Sequence, residues 1–321
     1  MPSIRWAAAA AGVLLCASAS VSAAWPERPI TIIVPAAPGG TTDMASRIIA
    51  DKLAARLGQS VVVENRAGAA GIIGTQQLVR AAPDGYTLIM GNIGPNAINY
   101  SMYADLPYKP ADFAPITLVI SVPNVVVVNA QSPARSAGQL IDMLRKDAGK
   151  DSFGSSGTGQ SPHLSAELFK QRAAVQATHV PYKGAGPAVA ALLAGQFTFM
   201  IDNLPSSMPH IQAGKLRALA VTSAERVPQL PGVPTMREAG IDDMVVTAWF
   251  GLMAPAGTPA AVIGRLAGAA REVLALPEVR QRFGAMGGQA GGNSPAEFAA
   301  FIDAERARWQ ATVQAAGLAP R

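Results

Sequence analysis

The sequence predicts an α/β fold in two domains, and three observations carry that prediction. Strand-like apolar runs alternate with helical patterns along most of the chain, the rhythm of a largely parallel sheet flanked by helices. The chain has 321 residues, more than one hydrophobic core comfortably serves. Two glycine-rich turns, each between a strand-like run and a helical pattern, lie roughly 120 residues apart, as a ligand held between two lobes would require.

Residues Met1 to about Ala23 read as a secretory signal: a basic start at Arg5, an apolar stretch from Trp6 to Ala17, and Val21-Ser22-Ala23 as a small-residue cleavage site. The apolar stretch is too short to span a bilayer. Cys16 is the single cysteine. Leu15 before it is bulky where a bacterial lipoprotein signal wants a small residue, so Cys16 belongs to the discarded signal. The mature chain then has neither disulfide nor thiolate chemistry. Loss of Arg5 takes the formal charge from +5 to +4. The basic residues are scattered, which argues against a nucleic-acid partner, and the mild positive balance favours anionic small molecules.

The elements follow in order. Ile30–Val34 is a strand, Met44–Leu57 a helix closed by Gly58, Val61–Glu64 a strand, Ile72–Ala81 a helix and Thr87–Met90 a strand. The rhythm resumes with a strand at Val125–Val128, a helix over Ser136–Asp147, a strand before Gly154 and a helix over Leu164–Lys170. Val175–Val180 and Phe197–Ile201 flank a helix at Pro187–Ala194, where Pro187 suits the first turn. After Leu219–Thr222 comes a proline-rich passage, Val227 to Pro234, then a strand within Val245–Met253. Helices at Pro259–Ala275 and Pro295–Ala316 have no strands of their own and are expected to pack back onto the first lobe. The chain is expected to cross between lobes near Ser121–Pro123 and again near Met244–Ala248. One lobe is then 24–122 plus 246–321, the other 123–245, with the ligand cleft between them.

The first turn runs through Ala37, Pro38, Gly39, Gly40, Thr41, Thr42 and Asp43. A strand that turns on glycines into a helix leaves the first helical N–H groups aimed at one point, where an anion can sit. Asp43 reads as a helix cap, because its charge repels an anion. An ordinary strand-to-helix turn is the competing reading. The second turn holds Ser155, Ser156, Gly157, Thr158, Gly159 and Gln160, with Ser161 expected as N-cap and Pro162 at the first helical position. His163 follows, and a structural histidine bonded to the loop is preferred to direct ligand contact. Asn92 is a further polar candidate. Lys183 is a loop cation that either approaches a carboxylate or stays solvated. Asp202 either reads the ligand at a strand end or simply forms an Asx turn.

Catalysis finds little support. The Gly154–Thr158 segment misses the spacing of a nucleophile elbow, and His179, His210 and Asp202 do not assemble into a triad from sequence alone. No Walker lysine follows the first turn, and three isolated histidines lack metal-site spacing. No catalytic residue and no cofactor is expected.

Several motifs in one order resemble a single family. They are Trp25-Pro26-Glu27-Arg28-Pro29-Ile30, the segment from Val62 to Gly71, and Pro83-Asp84-Gly85-Tyr86-Thr87. The segments His163 to Phe169, Val180-Pro181-Tyr182-Lys183-Gly184, Gly214 to Thr222 and Pro231-Gly232-Val233-Pro234-Thr235 continue it. The whole is similar to the Bug/TctC proteins, the periplasmic solute-binding components of tripartite tricarboxylate transporters. The resemblance implies a two-lobed type II periplasmic binding protein, a Venus flytrap in which each lobe is a mostly parallel sheet flanked by helices. It implies a periplasmic monomer gripping a small carboxylate, with one, two or three carboxyl groups and an aromatic body allowed, between Ala37–Asp43 and Ser155–Ser161. Membrane subunits of the transporter are the implied partner. A receptor that docks on a sensor kinase is the alternative, and a hydrolase a distant third. Tyr182, Trp249 and Phe250 offer an aromatic wall or plain packing, the latter preferred for Trp249. Two residues depart from the family pattern: Gln160, where relatives usually carry Ser or Thr, and Lys109, where Asp is common.

Overall fold

Every residue of β1 (Ile30–Val34) except Thr31 is buried, which places this strand inside a sheet covered on both faces. The structure, a computed structural model, describes residues 25–147, 149–315 and 317–318; the expected secretory signal, Cys16 included, lies outside them. From β1 the chain turns into α1 (Thr41–Leu57), which ends on Gly58 at φ 74°, the left-handed cap its glycine permits. Then follow β2 (Val61–Asn65), α2 (Ile72–Val79) and β3 (Thr87–Asn92). A π turn at Gly94–Ile98 leads into the short α3 (Asn99–Met102). Next come β4 (Phe113–Asn129), α4 (Ala137–Lys146), β5 (Ser152–Ser155), α5 (Ser161–Ala173), β6 (Thr178–Pro181), α6 (Ala185–Leu193), β7 (Phe199–Asn203), α7 (Leu204–Gln212) and β8 (Leu216–Val221). The chain closes with β9 (Thr247–Pro255), α8 (Ala260–Ala275), α9 (Pro277–Ala285), β10 (Gln289–Ala290) and α10 (Pro295–Ala315).

The strands line up as β2-β1-β3-β9-β4-β7-β5-β6, with β8 and β10 also on β4. Two parallel nuclei, β2-β1-β3 and β6-β5-β7, form the expected α/β halves. Antiparallel β4 and β9 join them. β4 pairs with β9 and β10 through its first part, and with β7 and β8 from Asn124 onward. Over Ser121 to Pro123, β4 runs beside β9, with Ser121 opposite Trp249 and Pro123 opposite Thr247. Expectation covered only Val125–Val128 of this 17-residue strand, because Pro115, Thr117, Ser121 and Pro123 interrupt its apolar run. Thr117 is nevertheless buried, its hydroxyl donating to Asn293 O at 2.7 Å.

Helix starts differ from expectation where the turn residues themselves are helical. α1 begins at Thr41 rather than Met44, since Gly40 (φ −90°, ψ 171°) is already the extended N-cap. α5 begins at Ser161 with Gln160 as N-cap. Ser161 is therefore not the cap: its hydroxyl accepts from Asn203 Nδ2 at 3.0 Å instead. α7 escaped the sequence reading because Pro205 and Pro209 break its pattern, though a proline early in a helix has no N–H to lose. α8 packs on α1 and β4, and α10 on β4 and the π turn. Behind β9, Glu305 accepts from the indole N–H of Trp249 at 3.1 Å and of Trp309 at 3.2 Å.

Candidate functional site

Five helices, α1, α2, α5, α6 and α7, begin around one internal cleft. Their N-cap residues, Gly40, Gly71, Gln160, Gly184 and Asn203, all line it, and none of the five caps its helix with a side chain. By contrast α4, elsewhere, is capped by the Ser136 hydroxyl accepting from Gln139 N–H at 3.2 Å. A helix start without a side-chain cap leaves donor N–H groups at the positive end of a helix dipole, although at α1 the Thr41 N–H already donates to Ser206 Oγ. Converging starts create a positive, donor-rich site made of backbone. Among the described residues that line it, Lys183 alone is charged, and no ion-pair partner of its ammonium occurs among the described residues.

The cleft is narrow, about 60 Å³, because its two walls touch. Thr41 N–H donates to Ser206 Oγ at 3.2 Å, and the two hydroxyls lie 2.8 Å apart. Ala37 N–H donates to Lys183 O at 2.9 Å, and Tyr103 donates its hydroxyl to Thr158 O at 3.1 Å. A Cβ on Gly186 would fall 2.3 Å from Pro38 O, so only glycine allows this approach.

Of the sequence candidates, Gly40, Thr41, Thr42, Asn92, Ser156, Ser161 and Lys183 line the cleft. Ala37, Pro38, Gly39, Asp43, Ser155, Gly157, Thr158, Gly159, His163 and Asp202 do not; most of them shape the loops from behind. Asp43 accepts from Gly39 N–H, Arg47 Nε and Asn65 Nδ2 at 3.1, 3.0 and 3.0 Å. Burial pushes its pKa up, but these donors outweigh it and hold the carboxyl below the usual range. Beneath the second turn, Gly159 N–H donates to His163 Nδ1 at 3.2 Å, and the His163 and His179 rings stack at 4.1 Å. His179 Nε2 is hydrogen-bonded to Ser155 Oγ at 2.6 Å, while Ser155 Oγ accepts from Gly157 N–H at 3.1 Å. His163 thus accepts from the backbone of the second turn.

Asp202 is fully buried beside the cleft. Burial pushes its carboxyl up to about 7, against the opposing pull of the Ser207 hydroxyl, 2.8 Å from Oδ2, and the Asn203 backbone. Its Oδ1 has no hydrogen-bond partner among the described residues. The next residue, Asn203, does face the cleft, its Nδ2 donating to Asn124 Oδ1 at 2.6 Å and Ser161 Oγ at 3.0 Å. Phe250 and Tyr182 line the cleft, whereas Trp249 is core packing, edge-on to Phe298. Lys109 stands exposed at a surface turn.

Sequence reasoning missed two further walls: Gly68-Ala69-Ala70-Gly71 before α2, and Gly184-Ala185 before α6. Both repeat the strand–glycine–helix signal that singled out the first turn. In the former, Ala69 and Ala70 hold φ +44° and +54°, a left-handed conformation that costs non-glycine residues about 1 kcal/mol or more. Among the described residues no cluster of three or more His, Cys, Asp or Glu could hold a metal ion, and no helix is long and apolar enough to cross a membrane.

Residues 45–318 match the sequence model of the tripartite tricarboxylate transporter family receptor. Protein BugT of Bordetella pertussis is 39% identical over 311 residues, 96% of this chain and 94% of that one. Among solved structures, Rpa4515 of R. palustris with adipate has a TM-score of 0.90 at 39% identity, covering 92% of this chain and 100% of that one. MatC of Rhodopseudomonas palustris with bound malate has a TM-score of 0.87 at 33% identity, covering 90% and 100%.

Proposed function

The chain belongs to the tripartite tricarboxylate transporter receptor family, and from that premise we propose that it is a periplasmic receptor for a small dicarboxylate, which it delivers to the transporter's membrane subunits. It acts as a monomer, exported by the signal at residues 1–23. Residues 24–122 with 246–321 form one lobe and 123–245 the other, hinged where β4 and β9 cross. The observation that carries this reading is the convergence of five side-chain-uncapped helix starts on a cleft with one lysine and no lining carboxylate. A carboxylate entering it accepts charge-assisted hydrogen bonds from N–H groups that are already oriented, so little reorganisation opposes binding. Of the sequence candidates, Gly40, Thr41, Thr42, Asn92, Ser156, Ser161 and Lys183 make the site. Gln160, Gly184, Ala185 and Asn203 join them. The adipate and malate bound by two relatives point to a diacid. Closure buries the ligand, and the membrane subunits recognise the closed form, so binding shifts a population that docking reads.

A thermal-shift screen of the mature protein against mono-, di- and tricarboxylates tests the proposal. A ligand at a hundredfold its dissociation constant adds about 2.7 kcal/mol to stability, on the order of 5 °C for a chain of this size. A shift with one or more diacids supports the reading. No shift with any acid, on protein shown by mass spectrometry to carry no ligand, overturns it.

A further inference from the structure

The side chain of Gln160 crosses from one wall of the cleft to the other, as the Thr41 hydroxyl does toward Ser206. Its backbone begins α5, while its Nε2 donates at 2.7 Å to the carbonyl of Ala70, in the left-handed turn before α2. The amide lies flat against the opposite wall. A Cβ at Gly94 would fall 2.5 Å from Gln160 Oε1 and 2.6 Å from its Cδ, so the glycine there makes room for the amide. Asn99 Nδ2 approaches the same Ala70 carbonyl at 3.5 Å and helps to fix its direction. The bridge therefore joins two of the converging helix starts, inside the volume where a ligand's carboxylates would sit.

The remaining space is small. About 60 Å³ accommodates roughly four to six water-sized groups at 10–15 Å³ each, fewer than the non-hydrogen atoms of even a four-carbon diacid. Any diacid therefore presses on the Gln160 amide or on the walls, each added methylene presses harder, and displacing the amide breaks the bond to Ala70. Displacing it also leaves a carbonyl short of its best donor.

We propose that Gln160 is the specificity-determining residue of this cleft: it sets the length of diacid the closed protein accepts, favouring a four-carbon chain over a six-carbon one. The same bridge latches the walls together before ligand arrives. This inference rests on the diacid reading above for its first part and on the geometry alone for its second.

Two measurements on the wild type, Gln160→Ser and Gln160→Ala separate those parts. The first is calorimetric titration with succinate, glutarate and adipate. The wild type is expected to bind adipate at least about tenfold more weakly than succinate, about 1.4 kcal/mol, and both variants to flatten or reverse that order. An unchanged order in the variants overturns the length filter. The second is small-angle scattering without ligand, in which both variants are expected to show a larger radius of gyration than the wild type. Equal radii overturn the latch. If no diacid binds any of the three proteins, the receptor reading and the length filter fall together, while a larger ligand-free radius in the variants still upholds the bridge. Truncation at 160 removes one hydrogen bond to a carbonyl that Asn99 still approaches, so a melting temperature lowered by only a few degrees is expected, and a single cooperative thermal transition confirms that both variants are folded.

Discussion

Replacing Asp202 with Asn should make the protein more stable at alkaline pH and change little at acid pH. The carboxyl is fully buried on β7, with one hydroxyl donor and an unpartnered Oδ1, and burial raises it from the ordinary 3.8 to about 7. Between those two values the folded protein holds a proton that the unfolded chain has lost, so stability falls as pH rises through this window. The whole displacement is worth about 4 kcal/mol at about 1.4 kcal/mol per tenfold change. The part between pH 5 and pH 7 is worth about 3 kcal/mol, and nothing further is lost above it. Asn keeps the shape, accepts the Ser207 hydroxyl and cannot ionise. Urea unfolding of both proteins at pH 5 and pH 8 should show the variant gaining about 3 kcal/mol on the wild type between the two conditions. A gain independent of pH would refute the reasoning, since it would mean that the carboxyl is already charged in the fold. Its ionisation beside Asn203 should also weaken anion binding above pH 7 in the wild type and not in the variant.

Three other perturbations probe separate parts of the account. Gly186→Ala places a Cβ 2.3 Å from Pro38 O across the cleft, so it should hold the walls apart. Affinity for a diacid is expected to fall by at least tenfold, about 1.4 kcal/mol, with the ligand-free melting temperature little changed; unaltered calorimetric affinity would contradict the closed geometry. Lys183→Met should cost about 1.5–3 kcal/mol of binding and flatten its dependence on salt, and a salt dependence equal to wild type would remove Lys183 from the site. Glu305→Ala leaves two buried indole N–H groups without an acceptor. It should cost about 3 kcal/mol, lowering the calorimetric melting temperature by about 5–10 °C; a loss below about 2 °C would show that the pair of bonds contributes little.

The parallel nuclei were legible because their strands are short and apolar between glycine turns, as Ile30–Val34 and its neighbours are. The joining strand was not, because β4 changes neighbours partway and its prolines and hydroxyls satisfy two different environments. The site was half legible for a related reason. Glycine turns before α1 and α5 stand out in composition, and part of each, Gly40 to Thr42 and Ser156, Gln160 and Ser161, lines the cleft. The turns before α2 and α6 carry the same glycine signal in Gly68, Gly71 and Gly184, but the lining alanines between and beside them, Ala69, Ala70 and Ala185, act through backbone direction rather than side-chain chemistry. Asp202 and Asn203 differ by one position on the same strand, and which of them faces the cleft depends on strand phase, which pairing in three dimensions decides.

Titration of ligand-stripped protein with succinate and with succinamide, two molecules of nearly equal size, tests the carboxylate clamp most directly. The converging helix starts and Lys183 predict that succinate binds and saturates at one site, and that succinamide binds at least a hundredfold more weakly, about 2.7 kcal/mol. Equal binding of the two, or binding of the amide alone, would contradict an anion site built from backbone N–H groups.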